Sequence, residues 1–224
     1  MARVIVFDVN ETLLDLGALD PVFEDVFGSA SARVDWFRSV LTTAMVVTLC
    51  GRYQDFSQVG AAALESVARR HGITLGDADR QRLAATMRSL PPHPEVPGAL
   101  QRLRDVGLRL AALTNSAPAA MEAQLEQAGL AELFEARLSV DHSRQLKPAL
   151  PVYRDAAARL GVETSSMRMV AAHGWDLAGA MSAGCAAAFV ARPGQFLEPL
   201  FPEPDIIGPD MDSVAEQILA REMP

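Results

Sequence analysis

The chain is 224 residues long, half of them hydrophobic, with a formal net charge of −8 and two cysteines. That length fits one α/β domain carrying an insertion, or two small domains, with ample apolar material for a core. An acidic chain with no basic cluster weighs against a nucleic-acid partner, and no apolar run nears the roughly 20 residues that cross a bilayer, so no membrane partner is expected. The run at 4–7 is expected to be an opening strand rather than part of a leader, and Cys50 and Cys185 sit in apolar, helix-like contexts. Free thiols and a cytoplasmic setting are the expectation.

Residues 4–7, Val-Ile-Val-Phe, are an unbroken apolar run that stops at Asp8. Such a run bounded by polar residues reads as a strand buried on both faces, as in a parallel sheet. From residue 16 the pattern turns helical, over 18–27, 32–49 with Trp36, Phe37 and Arg38, 56–71 and 77–89. Gly72 ends the third of these helices and Gly76-Asp77 starts the fourth. Pro91-Pro92-His93-Pro94 then stops helix formation, since proline removes the amide donor and restricts the residue before it. From Val96 helix and strand alternate, with helices over 97–106, 118–128, 152–160, 177–183 and 211–221. The intervening strands fall at 108–113, 136–140, 167–172, 186–190 and, at an edge, 205–207. The alternation predicts an α/β fold, a Rossmann-like parallel sheet with helices on both faces. Residues 1–15 and 91–224 are expected to form this core, and 16–90 an inserted all-helical cap.

In open α/β sheets the reactive groups sit just outside the carboxyl ends of the strands. Polar groups recur there: Asp8, with Thr12 in the turn that follows, Thr114-Asn115, Lys147, and His173 with Asp176. Parallel strands bring these ends to one rim, so the set is more specific than any member. Singly each has a plain reading: Asp8 as a turn cap, Lys147 as a solvated surface charge, Thr114 and Asn115 as caps of the helix near Pro118, Asp176 as an acid favoured by the helix dipole. Placed beside Asp8, Lys147 would favour the carboxylate form and hold its orientation.

Phe7-Asp8-x-x-x-Thr12-Leu13-x-Asp15 resembles the first motif of the haloacid dehalogenase superfamily, whose aspartate is a covalent nucleophile. The later rim groups match the remaining motifs of that family in order, over nearly the whole chain. Most members are phosphatases, with a second Asp two residues after the nucleophile as general acid. Here that position is Asn10, which cannot deliver a proton. Those members also hold Mg²⁺ with an acid four residues before Asp176, a position that is Ala172 here. One carboxylate beside Asp8 is a poor site for such a cation, so neither a metal nor another cofactor is expected.

The resemblance thus points to the L-specific 2-haloacid dehalogenase branch, with a small 2-haloacid as substrate. It implies that Asp8 attacks the halogen-bearing carbon, and that water activated by Asp176 then cleaves the ester to release a 2-hydroxy acid. Catalytic roles fall to Asp8, Thr12, Lys147, His173 and Asp176, and substrate contacts to Asn10, Arg38, Thr114, Asn115, Tyr153 and Trp175. A homodimer through the cap helices is implied as well.

Dehalogenases of this type read Ser-Ser-Asn-x-Trp-Asp where this chain reads Ala171-Ala172-His173-Gly174-Trp175-Asp176. An imidazole can donate a hydrogen bond where an amide did, and can also act as base. His173 is therefore expected to help hold the hydrolytic water. Arg38 is the candidate contact for the leaving halide and the substrate carboxylate, with Arg52 its rival; the plain alternative is a surface arginine packing its stem. Tyr153 either lies near the active site, as its family position implies, or has its ring in the core. A phosphatase acting on a small phosphorylated metabolite is the alternative function, and a catalytically idle domain kept for binding is a third.

Overall fold

Six parallel strands form one sheet in the order β3-β2-β1-β4-β5-β6. In chain order they are β1 (Val4–Phe7), β2 (Leu110–Thr114), β3 (Ala136–Ser139), β4 (Met167–Ala171), β5 (Ala186–Val190) and β6 (Ile206–Gly208). The structure, a computed structural model, describes residues 3–223. All four residues of β1 are buried, because β1 lies between β2 and β4 and helices cover both faces. The order of strands reverses at β1, with β2 and β3 on one side and β4 to β6 on the other. Such a switch point opens a crevice outside the strand ends. The backbone amide of Asp8 donates to the carbonyl of Val170 at 3.0 Å, so the ends of β1 and β4 are tied together where that crevice opens.

Between β1 and β2 the chain makes a 3-10 turn at Leu16–Leu19 and the helices α1 (Asp20–Phe27), α2 (Ala32–Leu49), α3 (Phe56–Arg70) and α4 (Asp77–Arg88). Trp36, Val40 and Ala44, four residues apart, form the buried stripe of α2. Trp36 packs on Phe23 with ring centroids 5.5 Å apart, and its indole donates to the carbonyl of Gly60 on α3 at 3.0 Å. The remaining helices are α5 (Val96–Asp105), α6 (Pro118–Gln127), α7 (Leu150–Leu160), α8 (Gly174–Ser182) and α9 (Met211–Glu222).

Several boundaries differ from the sequence expectation. The first helix enters through the 3-10 turn, where the Asp15 carboxylate accepts from the amide of Gly17 at 2.7 Å. The second strand runs to Thr114, so this threonine belongs to the sheet rather than to the loop beyond it. The helix expected from 177 begins at Gly174, which makes His173 its capping residue and puts Asp176 in its first turn. Gly179 lets α8 approach its neighbours closely: a Cβ there would lie 2.6 Å from Pro148 and 2.8 Å from the Tyr153 hydroxyl. That approach carries Lys147 and Tyr153 up to Asp176.

Candidate active site

Asp8 leaves the end of β1 buried, and its two carboxylate oxygens have different partners. Oδ1 accepts from Lys147 Nζ at 3.1 Å. Oδ2 accepts from the Thr12 hydroxyl at 2.8 Å and from His173 Nδ1 at 3.2 Å. Thr12 Oγ1 itself accepts the amide of Ala172 at 2.9 Å, which leaves its single proton for Asp8. Burial works against the Asp8 carboxylate, but the Lys147 ammonium, His173 and Thr12 together hold its pKa well below the usual carboxylate range.

Lys147 bridges two acids, with Nζ 2.8 Å from Asp176 Oδ2 as well as 3.1 Å from Asp8. Burial disfavours its charge, yet the Asp176 and Asp8 carboxylates outweigh that and raise its pKa. Its backbone amide donates to Asn115 Oδ1 at 2.9 Å, so Asn115 fixes the loop that presents it. Asp176 also accepts from the Tyr153 hydroxyl at 2.5 Å. Its pKa is raised by burial, which Lys147 offsets only in part and the charge of Asp8 reinforces. Lys147 is nearer to Asp176 than to Asp8, but Asp8 is the acid held ionised because it gains two further donors. Asp176 is left with the higher proton affinity of the two, which suits a base.

The His173 ring offers both nitrogens to carboxylates: Nδ1 to Asp8, and Nε2 to Glu11 Oε2 at 2.9 Å. The ring stacks on Trp175 at 5.2 Å and is flanked by Phe37 at 5.7 Å. Burial alone would lower its pKa, but the hydrogen bonds and charges of Asp8 and Glu11 push it up to about 9. Two flanking carboxylates favour an imidazolium that donates from both nitrogens, and that form has no lone pair for a base. Glu11 was not among the expected residues, and only its place in the same turn as Asp8 and Thr12 marks it. Its backbone stands at φ 65°, unusual for a residue with a side chain.

A pocket of roughly 270 Å³, counting its open mouth, is lined by Asp8, Asn10, Phe37, Leu41, Phe56, Thr114, Asn115, His173 and Trp175. Asn10 is held rigidly, donating to Ser116 Oγ at 3.3 Å and accepting from Gln124 at 3.0 Å. Thr114 Oγ1 accepts the amide of Ser116 at 3.1 Å. The indole N–H of Trp175 is buried and has no hydrogen-bond partner among the described residues. Two expected substrate contacts are placed elsewhere. Tyr153 is fully buried behind Asp176 and does not line the pocket. Arg38 is exposed, its guanidinium 4.0 Å from Asp35 on the same helix. Successive helical residues point about 100° apart, and on α2 it is Phe37 that turns to the site. Arg52 is exposed as well.

The donor set does not fit a divalent cation. The oxygens of Asp176 are engaged by Lys147 and Tyr153, and the ammonium bridges the two acids. Among the described residues no group of three or more His, Cys, Asp or Glu side chains is arranged to hold a metal ion.

A family model described as haloacid dehalogenase-like hydrolase matches residues 2–184. The chain belongs to the haloacid dehalogenase-like hydrolase family. Among similar proteins, the (S)-2-haloacid dehalogenase of Pseudomonas sp. (strain YL) is 31% identical over 203 residues, covering 90% of this chain and 88% of that one. Haloacetate dehalogenase H-2 of Moraxella sp. (strain B) is 29% identical over 218 residues, covering 96% and 97%. The structure of L-2-haloacid dehalogenase from Xanthobacter autotrophicus with chloropropionic acid covalently bound is similar over 100% of both chains, with a TM-score of 0.91 and 26% identity. This family hydrolase thus shares its sheet and helices with dehalogenases along its full described length.

Proposed function

We propose that this hydrolase converts short (S)-2-haloalkanoic acids to 2-hydroxy acids through an ester on Asp8. In this reading residues 16–90 act as a cap over a core of 1–15 and 91–224. The observation that carries it is the state of Asp8: a carboxylate held ionised by Lys147, Thr12 and His173 at the wall of a small pocket. Such a group attacks carbon without any base. An Asp8 oxygen forms the bond to C2 while halide departs with the C–X electron pair, inverting the carbon. Water then adds to Asp8 Cγ, with Asp176 taking its proton, and the hydroxy acid leaves with the former carboxylate oxygen. Lys147 holds both acids in place, and Asn115 and Tyr153 fix Lys147 and Asp176 respectively. Asn10, Thr114 and Trp175 face the substrate. Homodimerisation belongs to the same reading, supported by Val46 and Leu49, which α2 leaves exposed. The phosphatase alternative lacks support here, because Asn10 is an amide locked by Ser116 and Gln124 and Ala172 supplies no carboxylate.

The test is halide release from (S)-2-chloropropionate with and without exhaustive chelation, beside a phosphatase assay with Mg²⁺. Chelator-insensitive halide release, lost in Asp8→Asn, is the expected result, with ¹⁸O from labelled water entering Asp8 over several turnovers. Label appearing directly in the product of a single turnover would mean that water, not Asp8, attacks the substrate. Phosphatase activity with no halide release would replace the reading.

A further inference from the structure

The unequal oxygens of Asp8 carry an inference that rests on the ester mechanism and deepens it. Each carboxylate oxygen has two in-plane lone pairs. Oδ2 uses both, on Thr12 and His173, whereas Oδ1 uses one, on Lys147. We propose that Oδ1 is the attacking oxygen, that His173 is a catalytic residue receiving with Thr12 the negative charge on Oδ2 during ester hydrolysis, and that Glu11 is the positioning residue keeping His173 cationic for that step.

Once Oδ1 has bonded to C2, Oδ2 is the ester carbonyl oxygen. Water adds to Cγ, and the carbonyl π pair moves onto Oδ2, between the Thr12 hydroxyl and the His173 N–H. Donors already aimed at the developing oxyanion need no reorganisation. Collapse of that intermediate expels Oδ1 with the hydroxy acid. Asp176 takes one of the two protons of water as it adds and passes it to the alkoxide, and the other reaches solvent as Asp8 becomes a carboxylate again.

Glu11 matters because of what alkylation does to the ring's surroundings. The charged groups near His173 are Asp8 and Glu11 from the turn after β1, Lys147 on the far oxygen of Asp8, and Asp176 of α8, which Lys147 and Tyr153 hold. The flanking rings of Phe37 and Trp175 are neutral. Forming the ester erases the Asp8 charge, and Glu11 is then the one anion hydrogen-bonded to the ring. Its left-handed backbone conformation is a strained one that aims the carboxylate at Nε2. That turn is pinned by its amide donating to Leu14 at 2.8 Å and by His93 Nε2, 3.1 Å from its carbonyl.

The test is rapid-mixing kinetics with (S)-2-chloropropionate on the wild type, Glu11→Gln and His173→Leu, which has no donor for Oδ2. Each variant should release one halide per site in the first turnover, which also reports that it is folded. His173→Leu should then hydrolyse the ester more slowly, on the order of 10²-fold, and accumulate a mass-shifted peptide containing Asp8. In Glu11→Gln the alkaline limb of the hydrolysis rate should move to lower pH by one unit or more, a shift that lost packing alone does not produce. An unmoved limb, or hydrolysis by His173→Leu within about threefold of the wild type, would overturn the proposal. No first-turnover halide from the wild type would overturn the dehalogenase reading, and this proposal with it.

Discussion

The pocket has two unlike walls. On the sheet side, Asp8, Lys147, Asp176, Thr12, His173 and Glu11 form one continuous chain of paired charges and hydrogen bonds. On the helical side, α2 and α3 contribute Phe37, Leu41 and Phe56, and no guanidinium. Buried charges persist only where they are paired and hydrogen-bonded, so every ionised group on the sheet side is also a structural part of it. The helical wall is apolar, and charges facing such a low-dielectric surface interact more strongly than in water. The lesson is that the charged and polar groups lining the pocket come from the sheet side, Asp8 and His173 among them, whereas the helices add only apolar side chains.

Breaking the sheet side should have the largest effect. Lys147→Met leaves Asp8 and Asp176 buried without their shared cation, and removing one partner of a buried pair costs about 3–5 kcal/mol. Urea denaturation should show a loss in that range, together with loss of halide release. A cost below about 1 kcal/mol would mean that the two acids share a proton instead of needing the ammonium.

A smaller effect should follow from pH. His173 titrates at about 9 in the folded protein against an ordinary 6.5. Its contribution to stability is therefore whole below pH 6.5 and is lost as pH rises through 9, an effect on the order of 3 kcal/mol. Asp8, whose pKa is lowered, stays ionised throughout that window. Tm should fall between pH 6.5 and 9 in the wild type and stay much flatter in His173→Asn. Parallel slopes in the two proteins would show that the imidazolium does not stabilise the fold.

The smallest effect sharpens the contrast from the other wall. Arg38 is exposed and only loosely paired with Asp35, and such surface pairs contribute little. Arg38→Ala should change stability by less than about 0.5 kcal/mol and leave KM for 2-chloropropionate within twofold. A tenfold rise in KM would place a cation on the helical wall after all.

The architecture was legible in residue order, because strand burial and helix amphipathicity are local patterns. The run before Asp8, the 32–49 helix and the 186–190 strand all stand where the pattern puts them. The convergence of Asp8, Thr12, Lys147 and Asp176 was legible too, since parallel strands must end on one rim. Three things were decided only in three dimensions. Which α2 side chain meets the site depends on the rotation of that helix, and the packing of Trp36 on α3 turns Phe37 inward and Arg38 out. Tyr153 reaches Asp176 from behind because Gly179 permits a close approach that no linear motif records. And the protonation of His173 is set by Asp8 and Glu11, more than 160 positions away in the chain. Proton affinity depends on burial and on the charges a few ångströms away, and only the folded chain brings those together.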